Sequence, residues 1–419
     1  VEWDEDGPRR ELSWAELRDQ TARAATALAD VGVRPGDRVA AWLPNGVEAV
    51  VTMLASVWLG ATFSSTSPDF GVDGVLDRFG QIEPRVLVAA DGYRYGGRAH
   101  DCLDRLRSIR AGLPSVERTV VVPRLDPGAG PPDGAVGWPD FLNGGVGSTP
   151  EQVRFPADQP WYVLYSSGTT GKPKCIVHRS GGLLLKHLTE HQLHGDLRPG
   201  DRVFYFTTAG WMMWNWLVSG LASGAAIMLY DGHPLKPAET LWDFAAGERF
   251  THFGTSAKYL EMCAKQGLQP RQSHDLGSLR SILSTGSPLA PESFDYVYRD
   301  IAADVQLSSI SGGTDIISCF VLGNPVLPVR RGRLQCRGLG MKVNVFDPSG
   351  LPVRQCKGEL VCTAPFPSMP TGFWNDPEGS RYHKAYFDRF EGVWCHGDFA
   401  ELDLDGSMVI HGRSDTVLN

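Results

Sequence analysis

Apolar positions along the first part of the chain alternate between helical and strand spacing. A capping box, Ser13–Glu16, precedes apolar residues at helical spacing from Trp14 to Val31. Further on, the pattern predicts strands at 37–43, 85–89 and 120–122, and helices at 47–59 and 72–82. This alternation is typical of a parallel sheet with helices on both faces.

The alternation stops in a stretch rich in Pro, Gly and Asp at 126–139, which predicts a loop or link, and restarts at Trp161. Further strands are predicted at 203–206, 226–230, 251–253, 281–284 and 305–308. After about residue 320, short alternating strands separated by turns predict an antiparallel, barrel-like region. We therefore predict an α/β protein with two helix-flanked, mostly parallel sheets in residues 1–150 and 151–320, and a distorted β-barrel in 321–419.

Composition and charge narrow the class of protein. The chain has 419 residues, a net charge of −8 and no long basic run, so a nucleic-acid partner is not expected. Eight scattered cysteines fit free thiols in the reducing cytoplasm. The uncharged stretch 210–230 contains Asn215, two serines and three glycines, which favours a buried helix at 212–222 and a strand over a membrane span.

The most informative stretch runs from Tyr165 to Lys174 and follows a predicted buried strand. Its glycines, hydroxyls and lysines are the groups that surround a polyphosphate. It is not a Walker A loop, because only two residues separate Gly168 from Gly171 and Pro173 follows Lys172. By composition alone, it is also compatible with a flexible surface loop.

A second polar cluster, Ser308–Asp315, follows a predicted strand and so lies at a carboxyl end, where open α/β sheets bind ligands. Thr314 offers a hydroxyl and Asp315 a hard oxygen ligand for Mg²⁺. Taken alone, the cluster favours a simple polar turn.

The phosphate-type loop, together with Ser284–Pro288, His396–Asp398 and Gly412–Asp415, resembles the adenylate-forming superfamily of acyl-CoA synthetases, luciferases and adenylation domains. The resemblance covers nearly the whole chain. It implies ATP binding by Ser166, Ser167, Gly168, Thr169, Thr170, Gly171, Lys174, Gly286, Ser287, Pro288, Gly312, Gly313, Thr314, Asp398 and Arg413. It implies catalytic roles for Thr170, Thr314, Asp315 and Arg413. Asp415 would be a hinge, and Asp315 would bind Mg²⁺ directly or through water, since the family's usual Glu is one methylene longer.

The acid substrate is expected to lack an amine, because the pocket-lining stretch 207–215 has no carboxylate to pair with one. Acetate-specific synthetases carry a bulky Trp where this chain has Gly312 or Gly313, which leaves room for more than two carbons. The predicted acyl pocket consists of Gly210, Trp211, Met212, Trp214, Asn215, Lys258 and Gly312. Asn215 and Lys258 are candidates, on chemistry alone, for reading a β-keto oxygen.

Four local strings, at 65–71, 210–215, 311–318 and 373–376, resemble acetoacetyl-CoA synthetases. That family implies conversion of acetoacetate, ATP and CoA to acetoacetyl-CoA, AMP and pyrophosphate in lipid metabolism. A ligase for another short acid, such as butyrate or 3-hydroxybutyrate, is the alternative. The resemblance also implies a small C-terminal domain beyond Asp415, with a lysine that contacts the acid and the α-phosphate. Since the sequence ends at Asn419, that domain is expected to be missing.

A zinc peptidase is an alternative function from another class of enzyme. His187, Glu190 and His191 match the H-x-x-E-H motif of such enzymes, and His194 follows one turn further on. Such a short pattern arises easily by chance. The alternative is a helix packed behind the phosphate-type loop with exposed imidazoles.

Overall fold

The computed structural model describes residues 1–5, 7–128, 130–145, 149–166 and 171–414. Its strands are β1 (Glu2–Asp4), β2 (Arg38–Trp42), β3 (Thr62–Thr66), β4 (Val86–Ala90), β5 (Gly92–Tyr95), β6 (Arg98–Asp101), β7 (Arg118–Val122), β8 (Ala135–Gly137), β9 (Pro160–Ser166), β10 (Lys174–Arg179), β11 (Arg202–Tyr205), β12 (Ala226–Asp231), β13 (His252–Ser256), β14 (Ser281–Thr285), β15 (Gln306–Ser309), β16 (Ser311–Gly313), β17 (Ser318–Leu322), β18 (Cys336–Arg337), β19 (Val343–Phe346), β20 (Lys357–Cys362), β21 (Gly372–Phe373), β22 (Trp394–Leu402) and β23 (Met408–Arg413).

The helices are α1 (Trp14–Asp30), α2 (Val47–Trp58), α3 (Val72–Ile82), α4 (Leu103–Ala111), α5 (Trp138–Gly144), α6 (Ser180–Leu188), α7 (Met212–Ser219), α8 (Thr240–Gly247), α9 (Ala257–Lys265), α10 (Pro270–Ser273), α11 (Pro291–Tyr296) and α12 (Ser380–Tyr386). Two π-helical segments, Thr189–His194 and Val297–Ile301, extend α6 and α11, and a 3₁₀ turn, Gly220–Ser223, follows α7. The capping box predicted for α1 is present, since Ser13 accepts from the Glu16 amide and the Glu16 side chain from the Ser13 amide.

Two large sheets confirm the predicted α/β class. One has six parallel strands in the order β1-β12-β11-β13-β14-β15. The other has eight strands in the order β21-β10-β9-β3-β2-β4-β7-β8, parallel except at β9-β10 and β10-β21. Strands such as β4 are buried along their whole length because helices cover both faces.

Sheet membership does not follow the predicted division at residue 150. β1 pairs in parallel with β12 in the six-stranded sheet, whereas β9 and β10 belong to the eight-stranded sheet. The strand β8 also lies inside the stretch that was expected to be a loop. Strand pairing joins segments that are distant in sequence, and a change in local composition does not predict which strands will pair. The division of the chain into three units stays a prediction.

The later part of the chain is antiparallel, as predicted. β19-β20-β22-β23 form a four-stranded sheet and β16-β17-β18 a three-stranded one. The short strand β21 leaves this region to pair with β10. That pairing brings the later part of the chain against the strand that follows the phosphate-type loop.

Candidate active site

A cavity of about 270 Å³ opens at the carboxyl ends of the parallel strands β14 and β15. The Thr285 hydroxyl donates to the Ile310 carbonyl at 3.0 Å and so ties the two strand ends together. The cavity is lined by Trp211, Met212, Met213, Thr285, Gly286, Ser287, Pro288, Ser309, Ile310, Ser311, Gly312, Gly313, Thr314, Ser318, Cys319, Leu334, Asp398, Ile410, Gly412 and Arg413. It therefore brings together ten predicted residues that come from five separate motifs.

Part of the cavity lining, called here the polar end, consists of polar and charged groups. Asp398 on β22 and Arg413 on β23 are directly paired neighbours in the antiparallel sheet. Their side chains form an ion pair, with Arg413 Nη1 3.3 Å from Asp398 Oδ1. Gly286, also on the lining, adopts a φ of 93°, a left-handed conformation that favours glycine and opens the turn before Ser287. A carboxylate, a guanidinium and an open turn suit the ribose, phosphates and base of a nucleotide.

The lining also includes Trp211, Met212 and Met213 at the start of α7, together with Ile310 and Cys319. These side chains are apolar or weakly polar, as is usual for the wall of a small-molecule site. Gly210 lies on the chain just before them, where a side chain would meet the Ser67 amide nitrogen at 3.0 Å.

Two predicted pocket residues on α7 lie behind the cavity wall. Trp214 is fully buried and donates from Nε1 to Asn45 Oδ1 at 3.0 Å, so it belongs to the core. Asn215 is also buried and is not among the lining residues. Successive residues of a helix face different directions, so only part of the predicted stretch can face the cavity.

The structure places Lys258 away from the pocket, which corrects its predicted role. Its side chain is 65% exposed on α9, and its Nζ lies 3.3 Å from Glu261 Oε2. A lysine at the start of a helix can pair with a carboxylate three residues on, and here that local contact holds the ammonium in solvent.

The adjacent glycines Gly312 and Gly313 differ in the space around them. A Cβ on Gly312 would lie 1.9 Å from the Ser318 carbonyl oxygen, so backbone fills that direction. A Cβ on Gly313 would meet nothing closer than His396 Cε1 at 3.4 Å. Gly312 is therefore required by the close approach of β16 to β17, whereas a Cβ on Gly313 would make ordinary van der Waals contacts with His396 and Asp315.

Lys174, Asp315 and Tyr386 form a cluster, named here the rim cluster. It lies next to the cavity, because Asp315 directly follows the lining residue Thr314 in the chain. Lys174 opens β10, and its Nζ lies 3.8 Å from Asp315 Oδ1. The Tyr386 hydroxyl on α12 donates to the same oxygen. Burial, together with the Asp315 charge, raises the pKa of Tyr386, so the phenol stays protonated and acts as a donor.

Sequence reasoning did not identify Tyr386. It sits in a run of aromatic residues on α12, and its ring stacks on Trp394 with centroids 3.8 Å apart. An aromatic residue at such spacing reads as core, and nothing local indicates that its hydroxyl reaches Asp315. His178 on β10 was also not identified. Burial lowers its pKa to about 3, although the nearby charge of Asp315 acts to raise it.

The metal ligands available at the site fit a magnesium ion that is coordinated mainly by a bound nucleotide. No cluster of three or more His, Cys, Asp or Glu side chains able to hold a metal occurs in the described residues. The rim cluster instead supplies one carboxylate, Asp315, whose side chain is 17% exposed. Mg²⁺ bound with nucleotides takes one or two carboxylates and fills its other positions with phosphate oxygens and water.

Part of the predicted phosphate loop can be located. Ser166 ends β9 opposite Lys174, and Gly171 adopts a φ of 103°, as a turn requires. The predicted residues Ser167, Gly168, Thr169, Thr170 and Asp415 lie outside the described residues.

The histidine motif does not form a zinc site. His187 Nε2 donates to the Ile317 carbonyl at 2.5 Å, and His191 Nε2 donates to the Trp216 carbonyl at 2.8 Å. His194 Nδ1 donates to the Gly323 carbonyl at 2.7 Å. All three imidazoles are buried, which also corrects the expectation that they are exposed. The zinc-peptidase alternative is wrong because the ring nitrogens that a metal would need are bonded to backbone.

Glu190, the acidic member of the motif, is buried in a network of its own. It pairs with Lys186, with Nζ 3.3 Å from Oε1, and both side chains are at most 1% exposed. Oε1 accepts from the Cys319 amide at 2.9 Å and Oε2 from Trp216 Nε1 at 2.8 Å. Because Cys319 lines the cavity, this network supports the cavity wall from behind.

Comparison with known proteins identifies the family. Residues 3–374 match the AMP-binding enzyme family. The chain belongs to this family. The adenylate-forming resemblance of its motifs is thereby confirmed.

Particular members of the family cover nearly all of the chain. An acetoacetyl-coenzyme A synthetase of Rhizobium meliloti (strain 1021) is 55% identical over 419 residues, which is 99% of this chain and 64% of that protein. The solved structure of acetoacetyl-CoA synthetase from Streptomyces lividans superposes with a TM-score of 0.95 at 48% identity, covering 100% of this chain and 65% of that one.

A malonamoyl-CoA synthetase of Penicillium aethiopicum is 40% identical over 442 residues, which is 99% of this chain and 60% of that protein. The chain thus spans less than two thirds of the length of each of these three proteins. The resemblance of the local strings to acetoacetyl-CoA synthetases is confirmed. Among the helices of the described residues, none combines the length and apolarity that crossing a bilayer requires.

Proposed function

We propose that this chain is the nucleotide- and acid-binding part of an AMP-forming acid–thiol ligase for acetoacetate. ATP and acetoacetate would give acetoacetyl-adenylate and pyrophosphate, and CoA would then give acetoacetyl-CoA and AMP. The observation that carries the proposal is the 55% identity with the Rhizobium meliloti acetoacetyl-coenzyme A synthetase over 419 residues. The cavity supports it, since its lining combines polar groups with apolar side chains suited to a small acid. We further propose a cytoplasmic location, which the eight free cysteines support.

The nucleotide would occupy the polar end of the cavity. Asp398 would accept from the ribose hydroxyls, because a carboxylate can take two hydrogen bonds from a diol. The turn Gly286–Pro288 would lie against the base, and Arg413 would donate to ribose or phosphate oxygens. Thr314 would touch the α-phosphate, while Ser166, Gly171 and Lys174, with the rest of the phosphate loop, would hold the β- and γ-phosphates.

Catalysis would rest on positioning and on charge stabilisation. The acid carboxylate must lie in line with the α-phosphorus and the leaving pyrophosphate, and fixed donors must receive the developing charge. Mg²⁺, when bound, neutralises part of that charge. Asp315 would hold the ion, directly or through water, and Lys174 would supply the second positive charge at the same place.

The acid would occupy the chamber formed by Trp211, Met212, Met213, Ile310 and Cys319. Indole, thioether and aliphatic groups leave little space for a long chain and keep water from the acyl-phosphate bond. Gly312 and Gly313 line the cavity without a side chain, which supports an acid of more than two carbons.

The malonamoyl-CoA synthetase relative favours a second candidate acid. Malonamate, like acetoacetate, is a short acid with a carbonyl carbon in the β position. Acetoacetate carries a methyl group where malonamate carries an amide nitrogen. A weakly polar chamber should disfavour malonamate, because it leaves that nitrogen without a hydrogen-bond partner.

The test is acid-dependent pyrophosphate release by the full-length protein with CoA and Mg·ATP. The acids are acetoacetate, malonamate, acetate, propionate, butyrate and 3-hydroxybutyrate. We expect kcat/KM for acetoacetate to exceed that for every other acid by at least about tenfold, the cost of about 1.4 kcal/mol of lost transition-state contact. A preference for malonamate, butyrate or 3-hydroxybutyrate would overturn the choice of acid, and no release with any acid would overturn the ligase itself.

A further inference from the structure

The rim cluster joins three segments that are far apart in sequence. Lys174 comes from β10, Asp315 follows β16, and Tyr386 ends α12. The pairing of β21 with β10 brings α12 to this place, since β21 and α12 are close in the chain. Asp315 therefore receives one contact from each of the other two segments.

The two contacts on Asp315 differ in kind. Lys174 forms an ion pair with Asp315, but the 3.8 Å between Nζ and Oδ1 is too long for a hydrogen bond. The Tyr386 hydroxyl supplies the hydrogen bond. Both contacts involve Oδ1, and Oδ2 has no hydrogen-bond partner among the described residues. Oδ2 lies 3.6 Å from the position where a Cβ on Gly313 would stand, on the side of the cavity wall.

Tyr386 is held rigidly enough to orient a carboxylate. Its ring stacks on Trp394, which is fully buried, with planes 10° apart. The Phe373 ring packs at its edge with centroids 5.8 Å apart. Trp394 begins β22, the strand that also carries Asp398, so the hydroxyl has a fixed position relative to the polar end of the cavity.

We propose that Tyr386 is a positioning residue that fixes the Asp315 carboxylate through Oδ1 and leaves Oδ2 free to take the magnesium ion of Mg·ATP. A carboxylate on a short side chain rotates freely unless one oxygen is held, and a hydrogen bond from a stacked phenol holds it with little loss of side-chain entropy. The inference rests on the proposed use of Mg·ATP, and it concerns nucleotide binding before any acid enters.

The test measures ATP binding to the full-length protein by calorimetry, with Mg²⁺ and with EDTA, and compares the two dissociation constants. In the Tyr386→Phe variant, we expect the affinity gained from Mg²⁺ to fall about tenfold, as for loss of one hydrogen bond to a charged group, while metal-free binding stays within about twofold. Tyr382→Phe is the matched control. Tyr382 lies one turn earlier on α12 and packs against the same Trp394, but its hydroxyl donates to the Pro370 carbonyl.

A double-mutant cycle with Asp315→Asn separates positioning from general damage. If Tyr386 acts through Asp315, Tyr386→Phe should change the magnesium gain by less than about twofold in the Asp315→Asn background. An unchanged gain in Tyr386→Phe, an equal loss in Tyr382→Phe, or full additivity in the cycle would each overturn the inference. So would a wild-type affinity that does not depend on Mg²⁺. Because no acid is present, failure to activate acetoacetate would overturn the proposed function without changing this result.

Discussion

Two lysine–carboxylate pairs flank the cavity and differ in what surrounds them. Lys186 and Glu190 are at most 1% exposed and 3.3 Å apart, and both Glu190 oxygens also accept from neighbouring N–H groups. Lys174 and Asp315 are 33% and 17% exposed and 3.8 Å apart, and one Asp315 oxygen stays available. A pair with every donor and acceptor satisfied stabilises structure, whereas a looser pair with open positions at a cavity can bind a ligand.

The same difference explains why the H-x-x-E-H motif, kept only as a remote alternative, is not a metal site. The H-x-x-E-H pattern has the spacing of a metal site. Its side chains, however, form hydrogen bonds to backbone groups at or next to β17 and α7. The Thr314-Asp315 pair is a weaker pattern in sequence but lies beside a cavity. Whether a polar side chain is free for chemistry depends on its surroundings, and those surroundings come from other parts of the chain.

The largest expected effect comes from breaking the buried pair. Lys186→Met should lower the free energy of unfolding by about 3–5 kcal/mol, because it leaves Glu190 charged and buried without its cation. Urea unfolding at pH 7 measures it. The control is Lys258→Met, which removes a lysine at the same 3.3 Å from a carboxylate but 65% exposed, and should cost less than about 1 kcal/mol. Equal losses in the two variants would contradict the contrast.

At the rim cluster, the expected loss is in rate. Asp315→Asn in the full-length protein should reduce acetoacetate-dependent pyrophosphate release about 100-fold, or about 2.7 kcal/mol of barrier, since the amide is a poor Mg²⁺ ligand. The free energy of unfolding should change by less than about 1 kcal/mol, because the site is partly exposed. Steady-state kinetics and urea unfolding on the same preparation provide both values. A stability loss as large as that of Lys186→Met would make the rim pair structural as well.

The buried histidines predict a pH dependence of stability. Burial lowers the pKa of His191 to about 3, whereas the same side chain in the unfolded chain titrates near its ordinary value of about 6.5. Between these values the unfolded chain binds the proton and the folded chain does not, so stability rises with pH across the window and falls on acidification. The slope from one such group is at most about 1.4 kcal/mol per pH unit.

His191→Gln tests that slope. The variant should show a shallower loss of stability between about pH 6 and pH 4 than the wild type, measured as urea midpoints at a series of pH values. Its stability at pH 8 sets the baseline for the change in packing and hydrogen bonding. An identical slope in variant and wild type would show that His191 does not carry this proton linkage.

The smallest expected effect concerns the corrected pocket residue. Lys258→Met should leave kcat/KM for acetoacetate, and its ratio to that for butyrate, within about twofold, because the ammonium is in solvent on α9. The same assay as for substrate preference measures both values. A loss specific to acetoacetate would return Lys258 to the acid site and contradict the placement described above.

Local signals in the sequence predicted the secondary structure well. The helix α3 has its predicted bounds, and α2 ends one residue before its predicted end. The capping box sets the start of α1. Strands such as β12 and β14 extend only one residue beyond their predicted bounds, because buried apolar runs mark them directly. Strand β3 was missed, since four of the five residues of Thr62–Thr66 carry hydroxyl groups and only Phe63 is apolar.

The alternation of elements, the motifs at the strand ends and the family to which they point depend on neighbouring residues, so they can be read from the sequence. Three other features follow from long-range packing: β1 and β9–β10 belong to different sheets than their order indicates, Lys258 is in solvent, and Tyr386 holds Asp315. Each of those outcomes depends on packing between segments separated by tens to hundreds of residues. Such contacts are fixed by burial and strand pairing over the whole molecule, and no local pattern contains them.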